Sequence, residues 1–208
     1  MTVLLLHAFP LDERMWAPQL AALDGYDVAA PRLYGRGTSL DDWAASVLAE
    51  TDGSLVAVGA SMGGYVALAM GRQAPDRVRG VLLAGSRAAA DSPERRTDRD
   101  RRIGELREHG VPPDVDTTAT VEDLVAATKA LRDRPDSTDV VRSFAGPLVV
   151  AVGDLDDLLP IEEARAVVDL ARDGRLEVFP GAGHLVSLEQ PEEFNGVLLD
   201  FLTRSGEG

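Results

Sequence analysis

Short apolar runs alternate along this chain with longer segments in which apolar residues recur every three to four positions. Such runs are typical of strands buried on both faces of a parallel sheet, and the longer segments are typical of the helices that cover it. The runs predict strands at 3–7, 26–31, 55–59, 78–84, 148–152 and 176–179. The helical period predicts helices at 15–22, 40–50, 62–74, 162–172 and 191–205. We therefore expect an α/β fold with a mostly parallel sheet of about six strands and helices on both faces.

One segment interrupts this alternation, because the 57 residues at 87–143 separate two predicted strands that a single crossover helix would normally join. Its first part, 92–102, is almost wholly charged, which is typical of a solvated helix face. Its second part has apolar residues at helical spacing between Val121 and Leu131, so one face can pack on the structure beneath it. We predict a single domain over 1–208 in which 87–143 forms a short helical lid.

The composition excludes several classes of function. The 208 residues include 45% apolar and 27% charged residues, as in ordinary soluble globular proteins. With 21 basic and 35 acidic residues the formal net charge is -14, which argues against nucleic acid and anionic membranes as partners, because both favour a cationic face. The absence of cysteine from the sequence excludes disulfides, thiolate metal sites and cysteine nucleophiles.

The sequence carries no pattern typical of targeting or membrane insertion. The apolar run at 3–6 lacks the basic region of a signal peptide and fits a buried strand instead. No apolar run reaches the roughly 18 to 20 residues that span a bilayer. We expect a cytoplasmic protein, a monomer or homodimer, whose partner is a small-molecule substrate.

A nucleophile motif lies between a predicted strand and the helix that follows it. The run 59–63 is G-A-S-M-G, the G-x-S-x-G pattern in the strand-to-helix setting where it carries a catalytic serine. A nucleophile on so tight a turn leaves no room for side chains two residues before and after it, which accounts for Gly59 and Gly63. The alternative is a glycine-rich turn that packs closely or binds phosphate, although neither G-x-G-x-x-G nor G-K-S/T is present. Ser61 is therefore the candidate nucleophile.

A serine hydroxyl needs a base to take its proton and a third group to orient that base. Of the three histidines, His184 lies in G-A-G-H directly after the last predicted strand. In a parallel sheet this is the same end of the strands as that at which Ser61 lies. His7 ends the first predicted strand, and His109 lies in the charged segment, where a helix C-terminus is its simplest position. Three carboxylates follow the strand at 148–152, and spacing alone does not choose among them: Asp154, Asp156 and Asp157.

In their order along the chain these motifs resemble the α/β-hydrolase superfamily, in the branch that includes small carboxylesterases, enol-lactone hydrolases and cofactor-free haloperoxidases. The matching pieces are distributed along most of the chain, and one of them, R-P-D-S, lies within 87–143: H-A-F-P at 7–10, P-R-L-Y-G-R-G-T-S at 31–39, G-A-S-M-G-G at 59–64, R-P-D-S at 134–137, G-D-L-D-D-L-L-P at 153–160 and G-A-G-H at 181–184. The resemblance implies the α/β-hydrolase fold and its chain order of nucleophile, acid and histidine.

That order implies a catalytic triad of Ser61, Asp156 and His184. The family's acid usually stands three residues after the strand-ending glycine and four before a proline, which selects Asp156 here. Asp154 and Asp157 stay open as alternatives for the acid.

The resemblance also implies how the site would bind substrate. H-A-F-P corresponds to the family's H-G-x-P turn, so the oxyanion hole would consist of the backbone N–H groups of Phe9 and Met62. Ala8 stands where the family usually has glycine. Four apolar residues near these positions are candidates for the substrate pocket, although apolar residues near strand ends are also common in cores: Leu33, Tyr34, Leu185 and Val186.

The implied function is that of a serine hydrolase which cleaves a small carboxylic ester, thioester or lactone through an acyl-enzyme on Ser61. A carbon–carbon bond hydrolase or a cofactor-free perhydrolase would use the same triad, and a non-catalytic binding module would keep the fold alone. No H-E-x-x-H, flavin or nicotinamide pattern is present, so we predict no metal and no cofactor. The charge of 92–102 predicts small or polar substrates over long lipids.

Overall fold

The computed structural model describes residues 1–206, which form a six-stranded sheet in which every pair of neighbouring strands is parallel. The strands are β1 (Thr2–Leu6), β2 (Val28–Ala29), β3 (Leu55–Ala60), β4 (Val78–Ala84), β5 (Leu148–Gly153) and β6 (Gly174–Phe179). Their order across the sheet is β2-β1-β3-β4-β5-β6. The predicted α/β fold with six strands is confirmed.

Helices follow the strands along the chain, as parallel pairing requires. They are α1 (Ala17–Ala22), α2 (Leu40–Ala49), α3 (Met62–Gln73), α4 (Pro93–His109), α5 (Val121–Arg132), α6 (Thr138–Ser143), α7 (Ile161–Leu170), α8 (Val186–Glu189) and α9 (Pro191–Gly206). A 3-10 turn at Glu13–Trp16 precedes α1. No helix within residues 1–206 is both long and apolar enough to cross a membrane.

The core lies on both faces of the sheet because successive strand residues point to opposite sides. On β1, Leu4 and Leu6 pack in the cluster under α2 and α3, whereas Val3 and Leu5 pack in the cluster under α1 and α9. All four are fully buried. A strand covered on both faces therefore has the near-continuous apolar sequence that predicted it.

The second strand is shorter than the predicted 26–31. Only Val28 and Ala29 pair with β1, and both are half-buried. The strand lies at the edge of the sheet, where one side lacks a partner, and Pro31 has no N–H with which to continue the ladder.

The segment 87–143 contains three helices, whereas the sequence predicted two. The two predicted helices are α4 and α5, which pack against each other and bury Ile103, Leu106, Leu124 and Leu131 in the cluster on the α3 side of the sheet. The third is the short α6, whose Val141 is fully buried in the same cluster.

Candidate active site

Ser61 occupies a tight turn between β3 and α3. Its backbone φ is 48°, and within residues 1–206 it is the only residue other than glycine with a positive φ. A Cβ at Gly59 would lie 2.3 Å from the backbone of Gly63, and a Cβ at Gly63 would lie 2.0 Å from the carbonyl oxygen of Leu6. Both glycines are therefore required by close backbone approach, as the G-x-S-x-G pattern predicted.

Ser61, His184 and Asp156 form one continuous line of hydrogen bonds. His184 Nε2 lies 2.9 Å from Ser61 Oγ, and His184 Nδ1 lies 2.8 Å from Asp156 Oδ2. The carboxylate accepts a hydrogen bond from the Nδ1–H group, which leaves Nε2 free to accept a hydrogen bond from the serine hydroxyl. The side chain of Asp156 is completely buried, whereas that of His184 is 21% exposed.

Asp156 is held as an anion by three donors. Its Oδ1 accepts the N–H groups of Leu158 at 2.8 Å and Leu159 at 3.0 Å, while Oδ2 faces His184. Burial by itself would raise the pKa of Asp156, but the hydrogen bond and charge of His184, together with these two backbone donors, hold the pKa below its usual range. The carboxylate can therefore stabilise an imidazolium without taking its proton.

The two other aspartates of this loop take different positions. Asp154 Oδ1 accepts the N–H of Gly181 at 2.6 Å, which ties the loop after β5 to the loop that carries His184. Asp157 is exposed and lies on the wall of the cavity beside Ser61. Among the three, the carboxylate of Asp156 is the one hydrogen-bonded to His184.

Three residues that the sequence analysis did not single out position the site. Ser86 Oγ donates to the backbone carbonyl of Ser61 at 2.8 Å. Gly85, with φ 68°, packs so closely that a Cβ there would lie 2.9 Å from the His184 carbonyl oxygen. Glu189 accepts the N–H groups on either side of His184. Gly85 and Ser86 follow β4 directly. Their position at the carboxyl end of a strand, as for Ser61, could have identified them from the sequence.

The loop after β1 carries Phe9 and is held from beneath by His7. The buried imidazole accepts the N–H of Leu33 on Nε2 at 3.0 Å, and its Nδ1 lies 3.1 Å from the carbonyl oxygen of Ala8. Burial lowers the pKa of His7, in keeping with a neutral ring that donates from Nδ1. Phe9 lines the same cavity as Ser61, and Met62 begins α3, where backbone N–H groups have no partner within the helix.

A cavity of about 410 Å³ opens onto Ser61 and His184. Its wall includes Phe9, Tyr65, Gly85, Leu131, Asp157 and Leu158. Arg87 and four residues of α4 complete the wall: Arg95, Asp98, Arg99 and Arg102. Within residues 1–206, no group of three or more His, Cys, Asp or Glu side chains is arranged to hold a metal ion.

The cavity wall differs from the prediction, since Leu33, Tyr34, Leu185 and Val186 do not line it. Leu33 and Tyr34 are buried in the core under α2, where the Tyr34 ring packs against His7 and against Trp43. Val186 is fully buried on the opposite face of the sheet, and Leu185 packs against the same cluster. Burial in the core removes these apolar side chains from water more completely than an open cavity would.

The predicted solvated face at 92–102 also needs correction. Arg95, Arg99 and Arg102 are spaced i, i+4 and i+7, so they share one face of α4, and that face borders the cavity. Leu106 continues the same stripe four residues further on and is buried in the core. The buried leucine fixes the orientation of the helix, and the arginines therefore line the cavity that contains Ser61 while their side chains stay 26–39% exposed.

Comparisons with known proteins point to one family. A model of the alpha/beta hydrolase family matches residues 3–197. The structure is similar to that of an esterase from Thermogutta terrifontis determined with malate bound, with a TM-score of 0.88 and 31% sequence identity over 99% of this chain and 90% of that chain.

Two curated relatives align with parts of the chain. A protein named as a non-heme bromoperoxidase, BpoC, from Mycobacterium tuberculosis is 30% identical over 69% of this chain and 66% of its own length. The 2-hydroxy-6-oxo-6-(2'-aminophenyl)hexa-2,4-dienoic acid hydrolase of Metapseudomonas resinovorans is 32% identical over 33% of this chain and 24% of its own length. The chain thus covers less than two thirds of the length of either relative. The family model, however, matches nearly the whole chain, and the chain belongs to the α/β-hydrolase family.

Proposed function

We propose that this protein is a serine hydrolase that cleaves a carboxylic ester, thioester or lactone of modest size. The observation that carries the proposal is the line of hydrogen bonds from Asp156 through His184 to Ser61, with heavy-atom distances of 2.8 and 2.9 Å. These distances are within the reach that proton transfer between a nucleophile and its base requires.

In the acylation step, His184 Nε2 accepts the hydroxyl proton as Ser61 Oγ bonds to the substrate carbonyl carbon. Asp156 stabilises the imidazolium that results. The backbone N–H groups of Phe9 and Met62 donate to the oxyanion of the tetrahedral intermediate. Collapse of the intermediate breaks the bond to the leaving group, which takes the proton from His184.

In the deacylation step, His184 takes a proton from water, and the resulting hydroxide oxygen bonds to the acyl carbon. The second tetrahedral intermediate expels Ser61, which recovers its proton from His184. The segment 87–143 acts as the lid of a single domain, because α4 supplies part of the wall of the cavity. A cavity of about 410 Å³ suits short acyl groups better than long lipid chains.

Hydrolysis of p-nitrophenyl acetate, together with labelling by a fluorophosphonate, tests the proposal. We expect wild-type protein to hydrolyse the ester and to be labelled once, whereas Ser61→Ala is neither active nor labelled. Ser54→Ala is the matched control, since Ser54 is exposed and lies before β3, at the strand end opposite Ser61. Full activity of Ser61→Ala would overturn the mechanism, and absence of labelling in the wild type would favour a non-catalytic binding module.

Perhydrolysis is a second candidate, favoured by the 30% identity to the protein named as a non-heme bromoperoxidase. In that reaction hydrogen peroxide replaces water in the deacylation step, and the released peracid oxidises bromide. Peroxide-dependent bromination in acetate buffer, measured beside ester hydrolysis, separates the two activities. Carbon–carbon bond cleavage would instead require a diketone substrate and would leave both assays blank, although Ser61 would still be labelled.

A further inference from the structure

Three arginines of α4 face the cavity as one stripe. Arg95, Arg99 and Arg102 all line the space that contains Ser61 and His184, and the buried Leu106 on the same stripe fixes their direction. A stripe of long cationic side chains that lines a cavity is unusual on a helix that is otherwise hydrophilic, because solvent would satisfy these groups more easily than a cavity does.

These guanidinium groups keep most of their hydrogen-bond donors free for a ligand. Within the described chain, Arg95 donates one N–H to Glu163 Oε1 at 3.2 Å, and Arg99 donates one to Asp91 Oδ2 at 3.1 Å. Arg102 approaches Glu105 at 3.6 Å, beyond a normal hydrogen bond. A guanidinium has five N–H donors. The acidic partners therefore anchor two of the groups and leave donors on all three.

The charge of the cavity wall is opposite to that of the whole chain. Four arginines line it against two aspartates, Asp98 and Asp157, and Arg87 among the four is paired with Glu163 at 3.0 Å. Asp98 is itself paired with Arg101 at 2.8 Å. The formal net charge of the chain is -14, so the cavity concentrates cations on a surface that otherwise repels anions. Such a local reversal attracts an anionic ligand to one place.

We propose that the substrate carries a carboxylate in addition to the ester, thioester or lactone group, and that Arg95, Arg99 and Arg102 bind this carboxylate while the reacting carbonyl lies at Ser61. The inference rests on the proposed hydrolase function and specifies its substrate class. Planar guanidinium groups bind carboxylates through paired, charge-assisted hydrogen bonds, which fix both position and orientation. Monoesters of short dicarboxylic acids are the simplest members of this class.

A pair of matched esters tests the proposal: the p-nitrophenyl monoester of adipic acid and p-nitrophenyl hexanoate, which replaces the distal carboxylate by a methyl group. We expect wild-type kcat/KM to be about tenfold or more higher for the adipate ester, the effect of one hydrogen bond to a charged group. Arg102→Gln should remove most of this preference while changing kcat/KM for the hexanoate ester by less than about twofold.

Arg96→Gln is the matched control, because it removes the same charge from the same helix. Arg96 is exposed and does not line the cavity. Arg102→Gln carries the test, since Arg102 has the weakest contacts of the three and its loss leaves Glu163 and Asp91 paired. Circular dichroism melting checks that both variants fold. Equal rates on the two wild-type esters, or equal effects of the two substitutions, would overturn the inference while hydrolysis through Ser61 still supported the proposed function.

Binding of adipate to Ser61→Ala, measured by calorimetry, gives an arm that does not depend on turnover. We expect binding that weakens as salt is added and is lost when Arg102→Gln is introduced into Ser61→Ala. Retention of binding in that double variant, or no binding to Ser61→Ala, would overturn the inference. Failure of both esters to react, with no labelling of Ser61, would instead overturn the proposed function, and the calorimetric result would still decide whether the cavity recognises carboxylates.

Discussion

Glu189 accepts hydrogen bonds from the backbone on both sides of His184. Its Oε2 accepts the N–H of Gly183 at 2.6 Å, and its Oε1 accepts the N–H of Leu185 at 2.9 Å. The single turn of α8 returns this carboxylate to the loop that precedes the helix. The loop that carries His184 is thus fixed on both sides of that residue by one side chain, which does not line the cavity.

We predict that Glu189→Gln lowers kcat about tenfold and leaves KM nearly unchanged. Each of the two N–H groups needs its own acceptor oxygen, and the glutamine amide has only one oxygen. The rate of fluorophosphonate labelling should fall with kcat, since both report the position of His184. Glu192→Gln is the control, an exposed glutamate in the first turn of α9. Unchanged kcat and labelling in Glu189→Gln would show that these two hydrogen bonds do not position His184.

Two glycine substitutions should have opposite effects. At Gly85, alanine would place a Cβ 2.9 Å from the His184 carbonyl oxygen, at a residue whose φ is 68°. We expect Gly85→Ala to lower kcat about 10²-fold, through displacement of the base, and to cost about 1–2 kcal/mol of stability. Gly104 lies within α4, where a Cβ would have no neighbour within 4 Å, and Gly104→Ala should add about 0.4–1 kcal/mol.

Urea unfolding and steady-state kinetics on the two alanine variants check this contrast. Both substitutions add one methyl group, so a general effect of alanine would act on both alike. Normal activity in Gly85→Ala would mean that the close contact with His184 relaxes without consequence for the base.

The loop after β5 offers three aspartates of which one should matter for catalysis. We predict that Asp156→Asn lowers kcat by about 10⁴-fold, because an amide facing Nδ1 favours the wrong tautomer of His184. Asp157→Asn should leave kcat close to that of the wild type, since this side chain lies on the cavity wall. Asp154→Asn should do the same, because an amide oxygen can still accept the Gly181 N–H.

Steady-state kinetics on the three asparagine variants, with p-nitrophenyl acetate as substrate, separate the aspartates. A larger loss in Asp154→Asn or Asp157→Asn than in Asp156→Asn would transfer the role of the acid to that residue.

His7 should make stability fall in mild acid. The ring is fully buried, and burial lowers its pKa below the ordinary 6.5, although Glu13 and Asp12 act in the opposite sense. Protonation would put an N–H where Nε2 now accepts the N–H of Leu33. Since the unfolded chain then binds the proton more tightly, this contribution is complete above about pH 6.5 and is lost as the pH falls towards the folded-state pKa.

Urea unfolding at about pH 7.5 and about pH 5.5 measures this loss. The residue at position 7 does not titrate in His7→Asn, so the variant should be less stable at the higher pH but should lose less stability between the two. His109→Asn is the control, since its side chain is 70% exposed. An identical pH dependence in wild type and His7→Asn would contradict the prediction.

The alternation of apolar runs and helical periods located the six strands and the five helices predicted outside 87–143 within two residues at each end, whereas α4 extends seven residues beyond the predicted 92–102. Strands such as β3 are buried on both faces, so every position is apolar, and the pattern requires no knowledge of distant residues. The helices that the sequence did not predict were α6 and α8, whose six and four residues are too few to show a helical period. Short elements depend on their neighbours more than on their own sequence.

The cavity wall illustrates what periodicity left undecided. Leu33 and Tyr34 neighbour the site in sequence but are buried in the core, whereas the charged face of α4 borders the cavity. The i, i+4, i+7 spacing of Arg95, Arg99 and Arg102 defined one face of a helix, yet it did not reveal what that face would meet. The helix takes its direction from the burial of Leu106 in the core, on the side where α4 packs against α5.

The sequence by itself determined the nucleophile turn, because the glycines around Ser61 are required by steric contacts that any chain must satisfy at such a turn. It also determined the layered α/β fold, through apolar runs that alternate with helical periods, the pattern typical of a covered parallel sheet. The tertiary structure alone decided which aspartate meets His184 and which helix face lines the cavity that contains Ser61. Asp156 lies 28 residues before His184 in the chain, and the arginines of α4 lie more than 30 residues after Ser61. Only the packing of the sheet and its helices brings these residues together.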